Sequence, residues 1–358
     1  MNYLQSAQAL YEQMVRDRRH LHQHPEVGMD LPETCSYVMA RLTEMGYQPR
    51  RLGGGVTATV TGKPDGKVFL LRADMDALPM REESGLPFAS QRSCAHTCGH
   101  DMHTAMLLGA AQLLRDRAAE LNGTVKFMFQ SGEEVLSGAR SMIEAGILED
   151  PHVDAAMGAH MIPMIPAGLG GYGTGVVSAS SDHLVIRVEG RGGHGAHPQS
   201  TVDPINIGVH IHLALQELLS READPAELVV LTFGKFQGGD AANIIPSSAV
   251  LEGTLRTFSE PLRTHLLERI DTICTCTAEA FRGRAQVTDL CSTCSLQIDG
   301  DTAAAVAQGW QREGLKMLQR GEKMSGSEDF AEIAARVPST FFVVGGGTAQ
   351  DGCGVRLH

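Results

Sequence analysis

Four short polar runs stand far apart in the chain: Asp74-Met75-Asp76, Cys98-Gly99-His100-Asp101, Glu133-Glu134 and the single His160. Each falls where an apolar run that reads as a buried strand gives out, or just beyond it. Leu70 and Leu71 lead into the first, Val125 to Phe129 into the glutamate pair, and Ala155 to Met157 into His160. In open α/β sheets the ligand crevice lies outside the carboxyl ends of the strands. Thiol, imidazole and carboxylate gathered there make a divalent-cation site with a general base, the equipment of a metal-dependent hydrolase. That mixed donor set suits zinc, manganese, cobalt or nickel better than magnesium or calcium.

Each run also has a plainer explanation. A Glu-Glu pair is welcome at a solvated helix start, although two adjacent carboxylates repel one another unless something positive sits nearby. Asp74 and Asp76 share one side of an extended stretch, where one could orient an imidazole ligand or serve the turn before Pro79. A histidine ending a strand is often only structural. The combination, not any single member, carries the metal reading.

The elements that must position these groups follow from periodicity and breakers. Leu4 to Arg19 and Leu31 to Met45 read as helices, the first ended by His24-Pro25-Glu26 and the second by Gly46. Strands are expected at 56–61 and 68–71, separated by Gly62 and a Pro64-Asp65-Gly66 turn, then at 125–130 and 153–159, with helices at 100–114 and 138–145. This alternation predicts a mostly parallel sheet with helices on both faces. Gly168 to Gly175 breaks the pattern. Beyond it come a strand at 184–189, a helix at 204–220, strands at 228–236 and 249–257, a helix at 261–281 and a strand at 285–290. That is the split βαβ order of a small two-layer α+β sandwich. The predicted architecture is therefore an α/β catalytic domain made of residues 1–181 and 295–358, with an inserted domain, 182–294. Helix 302–312, the 325–335 segment and strand 340–344 return to the first domain.

Composition narrows the partners. The 358 residues carry a net charge of -12 with 42% hydrophobic residues and a pI near 5.7. A large core is possible, and no Lys/Arg cluster offers a nucleic-acid surface. No apolar stretch is long enough to cross a bilayer, and the start reads as an amphipathic helix rather than a signal peptide. Eight cysteines, one of them inside the metal motif, fit a reducing compartment. A cytoplasmic location is expected. His20, His22 and His24 are explained by a helix end, where cations are favoured, and Asp101 and His103 as helix-opening residues. Cys291 and Cys294 form a Cys-x-x-Cys, but Cys274 and Cys276 would point apart on a helix, which argues against a structural zinc.

Six runs, Arg72 to Pro79, Cys98 to His103, Gly132 to Glu134, Gly192 to Pro198, Asn243 to Pro246 and Gly326 to Phe330, occur in order. Together they resemble the amidohydrolase branch of the aminoacylase and carboxypeptidase metallopeptidases, which includes hippurate hydrolases, N-acyl-amino-acid amidohydrolases and indole-acetyl-amino-acid hydrolases. The resemblance implies two divalent ions per subunit, manganese or zinc foremost with cobalt and nickel also compatible, held by Cys98, His100, Glu134, His160 and His358. It implies Glu133 as general base, supported by Asp76, in agreement with the reading of the glutamate pair. It places Asp74 where related branches carry a histidine ligand, a share of the coordination assigned here to Cys98. His194 matches a histidine that supports the oxyanion, usually across a dimer, and Asn243 and Arg256 match substrate-binding positions. The implied reaction is hydrolysis of N-acyl amino acids by a homodimer or higher homo-oligomer, the inserted domain serving as lid and dimerisation unit. A carboxypeptidase acting on small peptides is the alternative. So is an impaired relative, because the family continues past the histidine matching His358 whereas this chain stops on it.

Overall fold

The structure, a computed structural model, describes residues 2–163, 165–319, 321 and 323–348. Two compact units emerge, one from Met1–Val177, Leu296–Glu322 and Glu328–His358, the other from Ser178–Ser295 and Lys323–Ser327.

The first unit opens with α1 (Tyr3–Ala9), α2 (Tyr11–Gln23) and α3 (Pro32–Glu44). A single helix was expected across 4–19. The chain instead tightens at Leu10, whose N–H bonds back to Ala7 O, a turn through which apolar spacing continues and so leaves no trace in the pattern. Next come β1 (Arg50–Leu52), β2 (Gly55–Thr61), β3 (Lys63–Asp74), α4 (His100–Asp116), β4 (Asn122–Gln130), α5 (Gly138–Glu144) and β5 (Ala155–Ile162). Then follow β6 (Leu169–Tyr172) and β7 (Gly175–Ser178). The Pro64-Asp65-Gly66 signal does not end a strand. It makes a bulge inside β3, where Lys63 faces Asn122 and the next pair is Lys67 with Gly123.

The second unit contains β8 (Ser181–Glu189), β9 (Gly193–His194), α6 (Pro204–Glu217), β10 (Val229–Gly238), β11 (Ile244–Ile245), β12 (Ser248–Thr257), α7 (Glu260–Ala280) and β13 (Arg284–Thr293). Its four-stranded sheet is antiparallel in the order β10-β12-β8-β13. Along β12 every second residue is buried. Leu251 and Leu255 belong to one core with Ile207, Ile211 and Leu215 of α6 and Leu266, Ile270 and Cys274 of α7, which recur every fourth residue. A period of two on the sheet thus meets a period near 3.6 on the helices.

The chain returns to the first unit with β14 (Leu296–Ile298), α8 (Gly300–Arg312), β15 (Lys316–Gln319), α9 (Ala331–Ala334) and β16 (Ser339–Gly345). The large sheet runs β1-β2-β4-β3-β5-β16-β6-β15. The joins β4-β3, β3-β5, β5-β16 and β6-β15 are parallel. Phe127, Met128 and Phe129 of β4 are all fully buried, as expected for a strand covered on both faces. Within one core cluster, Cys35, Val38 and Leu42 of α3 join Val56, Ala58 and Val60 of β2 and Leu107, Leu108 and Ala111 of α4. The glycine-rich passage expected to interrupt the fold contains strand β6. A Cβ on Gly170 would stand 2.6 Å from the Met317 sulfur, so close strand packing, not a turn, explains glycine there.

Candidate metal centre

The parallel strands β3, β4 and β5 end side by side, and the polar runs leave from those ends. Asp74 closes β3, the Glu133-Glu134 turn follows β4, and His160 lies in the last part of β5. Cys98 and His100 flank Gly99, which sits at φ +96° before the first turn of α4. A side chain there would be strained in that left-handed conformation, so glycine lets two donors turn toward one point.

The two histidines are oriented alike. His100 donates its Nδ1 hydrogen to Asp76 O at 2.9 Å, and His160 donates its own to Met161 O at 2.7 Å. Each Nε2 is thereby turned toward the other donors, as in imidazoles that bind metal while a second partner fixes the ring. His160 Nε2 lies 3.5 Å from Cys98 Sγ. His100 Nε2 is buried without a hydrogen-bond partner, as is Glu134 Oε1 3.8 Å away. Glu133 Oε2 is 3.9 Å from the same nitrogen. Donor atoms of Cys98, His100 and His160 cluster within 4.8 Å of one another, and those of His100, Glu133 and Glu134 form a second such group. Two overlapping groups of borderline and hard donors, with buried orphan atoms facing inward, fit a pair of divalent ions.

Protonation tells the same story. Burial, with His103 beside it, pushes His160 down to about 3, leaving it neutral and able to donate a lone pair. Burial pushes the Cys98 thiol up to about 12 and raises Glu134. Burial and then the Glu328 carboxylate hold Glu133 well above the carboxylate range. A positive charge at the centre opposes the upward shifts of Cys98, Glu134 and Glu133, and that of His100, where burial is outweighed, chiefly by Asp74. A coordinated cation strips the proton from a thiol.

Around the donors lies a scaffold whose members the sequence reading underrated. His103 accepts the Met161 N–H at Nε2, 2.8 Å, so its proton is on Nδ1 and goes to Asp74 Oδ1 at 2.6 Å. With both nitrogens occupied, His103 ties β3, α4 and β5 together and is no mere helix opener. Asp101 and His22 also need a different account. Asp101 receives Arg18 Nε at 2.7 Å and His22 Nδ1 at 2.8 Å, and His22 Nε2 meets Glu82 at 3.0 Å. A buried ion-pair chain, not a helix dipole, explains His22. Arg72 is fully buried, its Nε on Gln130, its Nη1 on Asp74 and its Nη2 on Glu328 and Asp329. Asp76 accepts the amides of Glu133 at 3.0 Å and Glu134 at 3.1 Å.

The remaining candidates belong to the second unit. His194 is exposed, its Nδ1 accepting the Ala196 N–H. Asn243 is exposed on the approach to β11, and Arg256 donates to Ser325 O at 3.2 Å. His358 lies outside the described residues. Cys274, Cys276, Cys291 and Cys294 enter no metal-holding group among the described residues. No described helix is long and apolar enough to cross a membrane.

The sequence model of Peptidase family M20/M25/M40 matches residues 70–353. The chain belongs to this family. As a member it is a hydrolase of amide bonds. It is 37% identical over 339 residues to N-acetyl-L-cysteine deacetylase of Bacillus subtilis, covering 94% of this chain and 81% of that protein. Against N-acyl-L-amino acid amidohydrolase of Geobacillus stearothermophilus the identity is 40% over 250 residues, 69% of this chain and 67% of that one. The solved structure of the Bacillus subtilis YXEP protein, a dinuclear metal binding peptidase of the family, superposes with a TM-score of 0.79 at 34% identity, covering 94% and 89% of the two chains.

Proposed function

We propose that this family member hydrolyses N-acyl amino acids to a carboxylic acid and a free amino acid, using two divalent ions held by Cys98, His100, Glu134, His160 and His358. The observation that carries the reading is the convergence of His100 Nε2, His160 Nε2, Cys98 Sγ and Glu134 Oε1 beside the Glu133 carboxylate, 3.9 Å from His100 Nε2, to which the role of base is assigned. Bound there, the ions would polarise the scissile carbonyl and acidify water.

Glu133 takes the proton from the attacking water and later returns it to the departing amine nitrogen. Its buried setting keeps bulk water from competing for that proton. Asp76 holds the turn that carries the base, through the Glu133 and Glu134 amides. His194 is assigned to the oxyanion of the tetrahedral intermediate, Arg256 to the carboxylate of the amino-acid part and Asn243 to the substrate beside it. A homodimer through the inserted unit is supported by edge strand β10, which leaves Val230 and Phe236 exposed, with Leu213 on α6 exposed as well. Manganese or zinc is the metal the mixed donor set favours. A cytoplasmic setting is supported by Cys35, Cys94, Cys98, Cys274, Cys276, Cys291 and Cys294, none of which forms a disulfide among the described residues.

The test is turnover of N-acetyl, N-benzoyl and indole-acetyl amino acids and of dipeptides, with zinc and manganese supplied separately. Release of the amino acid from the acylated substrates, lost in Glu133→Gln, is expected. Preference for dipeptides would make the protein a peptidase. No turnover at all, or a fully active Glu133→Gln, would overturn the reading.

A further inference from the structure

The segment that bears both glutamates, residues 131–138, is held at its two ends by one carboxylate from the far end of the chain. Gln130, the last residue of β4, donates Nε2 to Asp329 Oδ1 at 2.7 Å and Oδ2 at 2.8 Å. Ala139, the second residue of α5, donates its amide to Asp329 Oδ2 at 2.9 Å. Arg72 Nη2 completes the set on Oδ1 at 2.9 Å. Asp329 is 1% exposed, so each of these bonds is made out of reach of water, where an unmet donor is costly. Between the clamped ends the backbone is contorted. Gly132 lies at φ +66° and Leu136 at φ +50°, and a non-glycine residue in that region persists only when its surroundings enforce it. Asp76 grips the middle of the same segment from β3's side.

We infer that Asp329 is a positioning residue for the reaction: by closing the ends of segment 131–138 it sets where the Glu133 carboxylate and the Glu134 ligand stand. This rests on the proposed roles of those two glutamates. Asp329 holds the segment through Gln130 and Ala139. Its carboxylate also lies within 4.8 Å of the Glu133 carboxylate, so the test includes two readouts that do not depend on the charge at the base. Asparagine in its place has one acceptor oxygen, and its NH2 faces Gln130 Nε2 in either orientation together with the Ala139 amide or Arg72 Nη2, so the closure of the segment is weakened. Misplacement of about 1 Å costs on the order of 100-fold in rate.

The test compares wild type, Asp329→Asn, Gln130→Met and the double variant as reconstituted holoenzymes. Hydrogen exchange is expected to rise in peptides covering 131–138 in Asp329→Asn while peptides of β8 and β12 keep their protection. The visible spectrum of the cobalt-loaded protein should change as Glu134 shifts. With a substrate in hand, kcat should fall about 100-fold with KM within about twofold, and the double variant should lose less than the product of the single losses. Unchanged exchange in 131–138 together with an unchanged cobalt spectrum overturns the inference whatever the activity. If Asp329→Asn does not fold, Gln130→Met carries the same readouts, and its silence in both is equally decisive. Exchange and cobalt spectra need no substrate, so an inactive wild type would count against the proposed function alone.

Discussion

His100 gives its Nδ1 hydrogen to the main-chain carbonyl of Asp76, 2.9 Å away, and this one bond leaves Nε2 pointing unpartnered into the donor cluster. The side chain of Asp76 meanwhile receives the Glu133 and Glu134 amides. A single residue therefore orients a candidate ligand with its backbone and the candidate base with its carboxylate.

Asp76→Ala keeps the first function and abolishes the second. The two amides lose their acceptor in a buried turn, and kcat is expected to fall about 100-fold while both metal ions stay bound. Steady-state kinetics combined with metal analysis by atomic emission checks this. A variant that keeps wild-type kcat would separate the turn from the chemistry.

Cys98→Ser tests the thiol. Cobalt-loaded wild type should show a sulfur-to-cobalt charge-transfer band in the near ultraviolet, and the variant should lack it. Loss of an outer partner of a ligand costs roughly 10- to 100-fold in metal affinity, and replacing a ligand should exceed that in a competition titration. A persisting band would remove Cys98 from the ligand set.

Metal also enters the stability. An ion that binds only the folded chain at about 100 times its Kd adds about 2.7 kcal/mol. Treatment with a chelator is therefore expected to lower Tm, and zinc or manganese to restore it. Identical melting curves with and without chelator would contradict a tightly held centre.

His22 should govern part of the pH dependence of stability. Burial opposes its charge, but bonds to Asp101 and Glu82 outweigh burial and raise its pKa above the ordinary 6.5. A raised folded-state pKa stabilises fully below the unfolded value and is lost as pH rises through the folded one. The stability gap between wild type and His22→Asn, from urea unfolding, should be widest below about pH 6.5 and narrow toward alkaline pH. A gap independent of pH would show that His22 does not titrate in this way.

Lys126 is a purely structural cation. It is 2% exposed, and its Nζ donates to the carbonyls of Ile147, Glu149 and Pro151 at 2.9, 2.6 and 3.0 Å. Hydrogen bonds to a charged group contribute about 1.5–3 kcal/mol each, so Lys126→Met is expected to cost on the order of 3 kcal/mol in urea unfolding with turnover unchanged. A variant as stable as wild type would show that the three carbonyls find other donors.

The donors that meet in the candidate centre were legible in the chain itself, for a local reason. Cys98, His100, Glu133, Glu134 and His160 each sit at or just past an apolar run or beside a turn glycine, and in a parallel sheet such ends converge by geometry alone. The split βαβ order of the second unit was legible likewise, because strand and helix periods are written into consecutive residues. Strand β6 was not, since glycines chosen for close packing look like a turn.

What the sequence determined by itself is the kind of chemistry: which donors exist, and that strand ends bring them together. Only the tertiary structure decided how they are held. Asp74 meets His103 across 29 residues, and Arg72 meets Asp329 across 257. A hydrogen bond between such partners leaves no period and no local signal. His103, Arg72 and Asp329 therefore read as ordinary polar residues until the fold places them in a buried, low-dielectric network where each donor must find its acceptor.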